Sequence, residues 1–257
     1  MVKGLYTAYT GMLNEQRRVD VLANNLANAS TTGFKAEGST SESFKEVLAY
    51  KIKDTSEAGV ARKLGAMSPG VKIGETYTDW SEGSFHTTDN PYDMCISGKG
   101  FFTIEYTNKN GDTSTMYTRD GNFKVNLDNE IVNANGDYVL DVDGNHITVD
   151  PLQDTLVDTD GTIYQNGNAV AQLKITDFED YDYLTKYGET YYGTIDGATE
   201  VEPLATVHNG MLETSNVQVA KEMVNLINYQ RAYEANQKMI HAHDETIQTA
   251  VNDVGKV

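Results

Sequence analysis

Asn216-Val-Gln-Val-Ala-Lys-Glu-Met-Val-Asn-Leu-Ile-Asn-Tyr-Gln-Arg-Ala-Tyr-Glu-Ala-Asn236 opens a stretch in which Val219, Leu226, Tyr233, Ile240, Ile247 and Val254 recur at strict intervals of seven. That spacing draws one apolar stripe along a helix over residues 215–254. Met223, Ile227 and Val251 widen the stripe, while Gln230, Gln237 and Asp244 fill the companion row that a plain two-stranded coil makes apolar. Polar groups in that row weaken a seam but fix its register and partner number. Ser215 or Asn216 is placed to cap the helix.

The other end of the chain answers in kind. Leu5, Met12, Val19 and Leu26 also recur every seven residues, with Ala8, Leu22 and Ala29 at companion positions and Glu15 breaking that second row. The spacing predicts a helix over residues 3–30, stopped by Ser30-Thr-Thr-Gly33 with Gly33 in a left-handed position. Neither helix can bury its stripe alone, so the two pair with each other or with copies of the same chain. Asn is a poor helix former, yet Asn24, Asn25 and Asn28 cluster in one helix and Asn225, Asn228 and Asn236 recur in the other. The bland reading is a solvated face. With small Ala23, Ala27, Ala29, Ala232 and Ala235 beside them, amide bonds between helices packed on several sides are the sharper one.

Between the ends the punctuation changes to that of hairpins. Asn110-Gly111, Asp120-Gly121, Asn135-Gly136, Asp143-Gly144, Asp160-Gly161, Asn166-Gly167, Asp196-Gly197 and Asn209-Gly210 are Asx-Gly pairs, which favour turns with positive φ between twisted strands. Phe101-Phe-Thr-Ile-Glu-Tyr106 and Ala169-Val-Ala-Gln-Leu-Lys-Ile-Thr176 read as strands between such turns. The expected fold class is therefore α+β: a discontinuous coiled-coil domain of the two terminal helices flanking a central antiparallel β-domain. The expected parts are a first helix at 1–35, a linker or extended arm with short strands at 36–75, the β-domain at 76–210 and a second helix at 211–257.

Composition narrows the function. Of the net charge of −18, residues 1–35 carry +2 and residues 215–257 carry −1, which leaves −19 between them. So acidic a middle repels phosphate backbones and argues against nucleic acid. The near-neutral ends can crowd together without large self-repulsion. No apolar run approaches the ~20 residues of a membrane span, and the opening residues lack the apolar core of a cleavable signal. The single cysteine, Cys95, excludes an intramolecular disulfide.

Sites of chemistry do not emerge. Asp141-Val-Asp-Gly-Asn145 hints at a calcium loop, but the sixth and twelfth positions counted from Asp141 are His146 and Leu152 rather than glycine and a carboxylate. His241 and His243 lie two apart on a helix and point to different faces, unlike a zinc pair. Gly98-Lys-Gly100 lacks the third glycine of a dinucleotide loop and leads into a strand. No cofactor, no metal and no enzymatic activity are expected. A different class of function, a secreted β-domain that binds a glycan or other ligand and dimerises through its helices, is suggested by Tyr181, Tyr183, Tyr187, Tyr191 and Tyr192.

Three blocks carry a resemblance. Leu22 to Lys35 is similar to the N-terminal motif of the flagellar rod and hook family of bacterial axial proteins, with its paired Asn and Thr-Gly-Phe-Lys. Glu222-Met-Val with Asn225 and Gln230-Arg-Ala-Tyr-Glu-Ala-Asn236 resembles that family's C-terminal motif. Glu82-Gly-Ser-Phe-His-Thr-Thr-Asp-Asn-Pro-Tyr-Asp93, Gly98-Lys-Gly-Phe-Phe102 and Tyr117-Thr-Arg-Asp-Gly-Asn-Phe123 resemble the entry to its β-domain. The blocks stand in the family's order, and the resemblance covers nearly the whole chain. His86-Thr-Thr-Asp89 and Cys95 depart mildly from the pattern, which touches turn geometry alone.

The resemblance implies a subunit of the flagellar basal-body rod that polymerises through its terminal helices and transmits torque from motor to hook. It implies export in an unfolded state through the flagellar type III apparatus with no signal cleaved, and partners that are copies of the chain and other rod and hook proteins. Gly70-Val-Lys-Ile-Gly-Glu-Thr-Tyr-Thr-Asp-Trp80 looks more like the distal rod subunit than the proximal one. The residues expected at the assembly interface are Leu5, Met12, Val19, Leu22, Asn24, Asn25, Leu26 and Asn28 on the first helix. On the second they are Val219, Met223, Leu226, Ile227, Gln230, Tyr233, Asn236, Ile240, Ile247 and Val254.

Overall fold

The computed structural model describes residues 2–51, 62–109 and 111–254. They fall into two compact units, the first made of the described residues within 1–27, 37–79 and 218–257 and the second of those within 28–36 and 80–217. Each unit is assembled from stretches far apart in the chain.

In the first unit, helix α1 runs Val2–Ala27 and helix α2 runs Val219–Thr249, followed by one π-helical turn at Ala250–Val254. Helix α1 ends three residues short of the expected 30. Thr31 N–H donates to the Asn28 carbonyl at 3.2 Å and the Thr31 hydroxyl reaches Asn28 Oδ1 at 3.2 Å, which closes a turn in place of another helical residue. Helix α2 starts four residues later than 215. Gln218 is its N-cap and makes no side-chain cap bond. Asn216, expected as a cap, is engaged elsewhere: its Oδ1 accepts from Ala36 N–H at 2.8 Å and its Nδ2 donates to the Ser81 carbonyl at 3.1 Å.

The stretch expected as a linker or arm contains four strands. β1 (Glu37–Ser43) pairs antiparallel with β4 (Val71–Thr78), and β2 (Val47–Lys51) pairs with β3 (Arg62–Met67). A bulge interrupts the outer pair between Ser39 and Ser41. Bonds from α1 hold this ribbon. Thr7 donates to the Pro69 carbonyl at 2.8 Å, Asn14 Nδ2 to Ser41 Oγ at 3.1 Å, and Asn25 exchanges two bonds with the Glu37 backbone at 2.8 and 2.9 Å. Gly70 is required here, since a Cβ would collide with the Thr10 hydroxyl.

The second unit is antiparallel β throughout its pairings. The strands β5 (Phe85–Thr87), β6 (Met94–Gly98), β7 (Phe101–Thr107), β8 (Thr113–Thr118), β9 (Phe123–Val125), β10 (Ile131–Asn133) and β11 (Tyr138–Val139) form its first half. The second half holds β12 (Thr155–Val157), β13 (Thr162–Gln165), β14 (Asn168–Gln172), β15 (Ile175–Phe178), β16 (Leu184–Tyr187), β17 (Tyr191–Thr194), β18 (Glu200–Val201), β19 (Ala205–Asn209) and β20 (Met211–Glu213). The main sheet is ordered β16-β17-β8-β7-β11-β10-β9, with β15 also pairing on β7. Smaller pairings join β12-β13-β14, β6 to β19 and β5 to β20.

Seven of the Asx-Gly pairs place their glycine at positive φ, among them Gly136 at 93° and Gly161 at 78°. Gly121 does not belong to that set. It is required by close approach instead, because a Cβ there would strike the Met94 carbonyl oxygen. One apolar cluster gathers Met94, Ile96, Phe102, Ile104, Phe123, Ile131 and Ile163; a second gathers Phe101, Tyr117, Phe178 and Tyr192 with Trp80 against it.

Candidate assembly surface

The two helices of the first unit lie antiparallel, and their contact follows a row that the apolar heptads do not mark. Gly4 faces His243, Gly11 faces Asn236, and Arg18 faces Tyr229, each step moving seven residues forward on α1 and seven back on α2. A Cβ on Gly4 would lie 2.9 Å from His243 Nε2, and one on Gly11 would lie 3.0 Å from Asn236 Nδ2, so two hydrogen side chains admit two large ones. The Arg18 guanidinium donates to the Tyr229 hydroxyl at 2.6 Å and its Cζ stands 4.0 Å from the centre of that ring. Arg18 also lies 3.8 Å from Glu15, which gives the residue that breaks the apolar row a partner.

On α2 the inward row is thus Tyr229, Asn236 and His243 beside Leu226, Tyr233, Ile240 and Ile247, all half-buried. Gln230 and Gln237 of the expected companion row are exposed and border a groove shared with Gln16 and Val19 of α1. Val219, Met223 and Ile227 are between 39 % and 50 % exposed, and no residue of α2 is buried. Val254 closes the π-helical turn, and its side chain lies outside the described residues. On α1, Leu5, Met12, Val19 and Leu26 are half-buried, Leu22 is buried and Asn24 is exposed. Asn25 is 1 % exposed, its amide committed to Glu37 within the chain. Asn28 is buried in the second unit. Two of the conspicuous asparagines therefore serve the chain's own turns and ribbon.

The second unit holds a buried charge cluster. Lys35, Glu213 and Arg119 are all at most 4 % exposed. Lys35 Nζ stands 2.6 Å from Glu213 Oε1 and donates to the Ser81 carbonyl at 2.8 Å; Arg119 Nη1 is 3.5 Å from Glu213 Oε2. Gly83 N–H donates to the same carboxylate at 2.9 Å, and the Glu213 carbonyl accepts from Gly33 N–H at 2.9 Å. The guanidinium also donates to the carbonyls of Ile96 and Gly98. Burial pulls the Lys35 amine below its ordinary range, against the raising pull of Glu213. Thr32 donates to Asp120 at 2.6 Å, and burial raises the Asp120 carboxyl. Gly33 itself has φ of +66° and presses so closely on the Arg119–Asp120 peptide that no side chain fits.

The sequence did carry a signal for this cluster. Lys35 closes the Thr-Gly-Phe-Lys motif and Arg119 sits in Tyr117-Thr-Arg-Asp-Gly, so blocks that looked like independent landmarks meet at one carboxylate. Phe34 is buried beside them under the Lys186 ammonium, 4.1 Å from its ring centre.

The tyrosine group is largely packing. Tyr192 is buried against Trp80 and Phe101, Tyr181 meets Trp80 at a tilt and Phe101 edge-on, and Tyr191 hydrogen-bonds Asp137. Tyr183 and Tyr187 are the two exposed members. Burial pushes the Cys95 thiol up to about 11. Among the described residues no group of three His, Cys, Asp or Glu is placed to hold a metal ion, and no helix is long and apolar enough to cross a membrane.

Three family models match this chain: "Flagella basal body rod protein" over residues 5–35, "Flagellar hook protein FlgE/F/G D1 domain" over 95–165 and "Flagellar basal body rod FlgEFG protein C-terminal" over 208–253. Whole-chain relatives agree. The flagellar hook-basal body complex protein FlhO of Bacillus subtilis is 32 % identical over the full length of both chains. The flagellar basal-body rod protein FlgF of Caulobacter vibrioides is 34 % identical, again over both full lengths. The rod protein FlgG of Bacillus subtilis is 31 % identical over 98 % of this chain and 99 % of its own.

Proposed function

This chain belongs to the flagellar basal-body rod and hook family and is a structural subunit of that assembly, and we propose that it builds the distal part of the rod. It polymerises through the outward faces of α1 and α2 and passes torque from motor to hook. The observation that carries this reading is the state of α2: a helix of 31 residues with no buried side chain and a run of exposed Met, Val and Ile. An isolated helix so lean gains too little from its own chain to stay firmly folded, and neighbouring copies supply the missing burial. The chain travels unfolded through the flagellar type III export apparatus, keeps its N-terminus, and meets other rod and hook proteins at the ends of its own segment. The approach from Gly70 to Trp80 favours the distal position.

The test is genetic and structural. A strain lacking the gene is expected to stop rod growth and carry no hooks, and the tagged chain is expected to co-purify with basal bodies. Crosslinks to the hook-side neighbour support the distal position, whereas crosslinks confined to the membrane-side neighbour replace it with the proximal one. Complete rods and hooks in the deletion strain would overturn the reading.

A further inference from the structure

The second unit is poor in cations and does not scatter them. Residues 28–36 and 80–217 hold 7 Lys and Arg against 24 Asp and Glu, a net charge of −17. Three of the seven cations, Lys35, Lys99 and Arg119, line one cavity of about 310 Å³. Three rings, Trp80, Phe101 and Tyr181, line it with them. Trp80 meets Phe101 edge-on with ring centres 5.5 Å apart and Tyr181 at 5.1 Å, while Phe101 and Tyr181 lie edge-on at 5.7 Å. Each ring braces the other two, so the hollow is preformed.

The cations divide the work. Lys35 and Arg119 are buried and share the Glu213 carboxylate. Lys99 is exposed and has no carboxylate partner among the described residues. Its position is set by the neighbouring Gly98: Arg119 Nη2 donates to the Gly98 carbonyl at 2.6 Å, and Glu82 accepts the Gly98 N–H. Both backbone groups of the residue before Lys99 are thus held by the cavity wall. Lys35, Lys99 and Arg119 against Glu82 and Glu213 leave one net positive charge here, opposed to the sign of the whole unit. Such a local reversal draws an anion to this place and repels a cation from it no less than the rest of the surface attracts one.

Size and lining narrow the anion. A cavity of this volume lies at the small end of ligand pockets, which join apolar walls to a few placed polar groups. It suits one ring with its charged group and does not suit a polymer. One net positive charge matches a singly charged acid. We propose that this cavity binds a small ring-bearing organic acid, with the ring against Trp80 and Tyr181 and the carboxylate on Lys99. Such binding is a property of the second unit and stands apart from assembly.

The full-length chain carries its own reporter, because Trp80 is the only tryptophan and stands in the cavity wall. Benzoate is titrated at constant ionic strength while Trp80 emission is excited beyond the absorption of the ligand. A saturable change is expected, with benzamide and benzylamine binding at least about tenfold more weakly. Lys99→Glu is expected to weaken benzoate about tenfold. Glu82→Gln keeps an oxygen for the Gly98 N–H and removes a negative charge, so it is expected to tighten benzoate. Both residues are exposed, and native emission before titration shows that each variant is folded; should Lys99→Glu lose it, Lys99→Met replaces it with the same expectation. No saturation, an equal response to all three probes, or unchanged affinity in both variants overturns the proposal. Saturation by a triglutamate peptide without a response to benzoate also overturns it, in favour of a protein partner.

Discussion

At the scale of single residues, the Glu213 carboxylate is the point on which the second unit closes. It is buried, it takes charges from Lys35 and Arg119, and it accepts the Gly83 amide. Breaking a buried pair by removing one partner leaves an uncompensated charge and costs about 3–5 kcal/mol. Glu213→Gln is therefore expected to lower the stability of this unit by that amount, read by urea unfolding followed through Trp80, the only tryptophan. A loss under about 1 kcal/mol would show that the cluster is solvated in solution. Alkaline pH gives a second residue-level prediction. Burial, aided by Glu200, Asp177 and Asp137 respectively, holds the phenols of Tyr117, Tyr181 and Tyr191 above their ordinary range. The unfolded chain releases those protons near pH 10 while the folded unit retains them, so the folded state binds more protons and stability falls as pH rises past about 10. Phenolate absorbance from these three is expected to appear together with the loss of native Trp80 emission; full ionisation with native emission would contradict the burial. The cluster was hard to read from sequence because charged residues are rarely buried, and nothing in Thr-Gly-Phe-Lys announces that its lysine points inward to a residue 178 positions away.

At the scale of elements, the helices show how far periodicity reaches. Both were legible from their seven-residue apolar rows, and α2 needed no other evidence. The row of closest contact was not, because Gly4, Gly11 and Arg18 are a glycine pair and a cation and interrupt no apolar repeat. The register depends on them. Gly11→Leu is expected to wedge α1 from α2 at Asn236 and to lower helical signal on melting, while Gly11→Ala is tolerated because the Asn236 amide can swing aside. Arg18→Ala removes a hydrogen bond and a ring contact together worth about 1–2 kcal/mol. An unchanged melting curve for Gly11→Leu would place the two helices apart in solution. The ribbon of β1 to β4 carries little signal in the sequence beyond a linker with short strands or an extended arm. Ser and Thr dominate Glu37–Ser43 and leave no alternation to recognise, and the pairing is fixed instead by bonds from Thr7, Asn14 and Asn25 on α1.

At the scale of the molecule, the α+β class was present in the heptad rows and the Asx-Gly pairs, and the family in three short blocks. What linear reading could not supply was their connection: residues 28–36 belong with the β-strands and not with the helix that precedes them. The β-domain expected at 76–210 stops short of Glu213 and omits Lys35, so a fragment cut at those limits is expected to lose the buried cluster and unfold at lower denaturant than one keeping all of 28–217. In the first unit, α2 has no buried side chain, and amide exchange along it in the free monomer is expected to outrun that of β6 to β8. The most direct test of assembly through the terminal helices removes α2 alone. A chain ending at Val217 keeps every residue of the second unit. Its amount in purified basal bodies, measured beside the full-length chain, is predicted to fall to background while Trp80 emission stays native. Normal incorporation of that shortened chain would contradict the account.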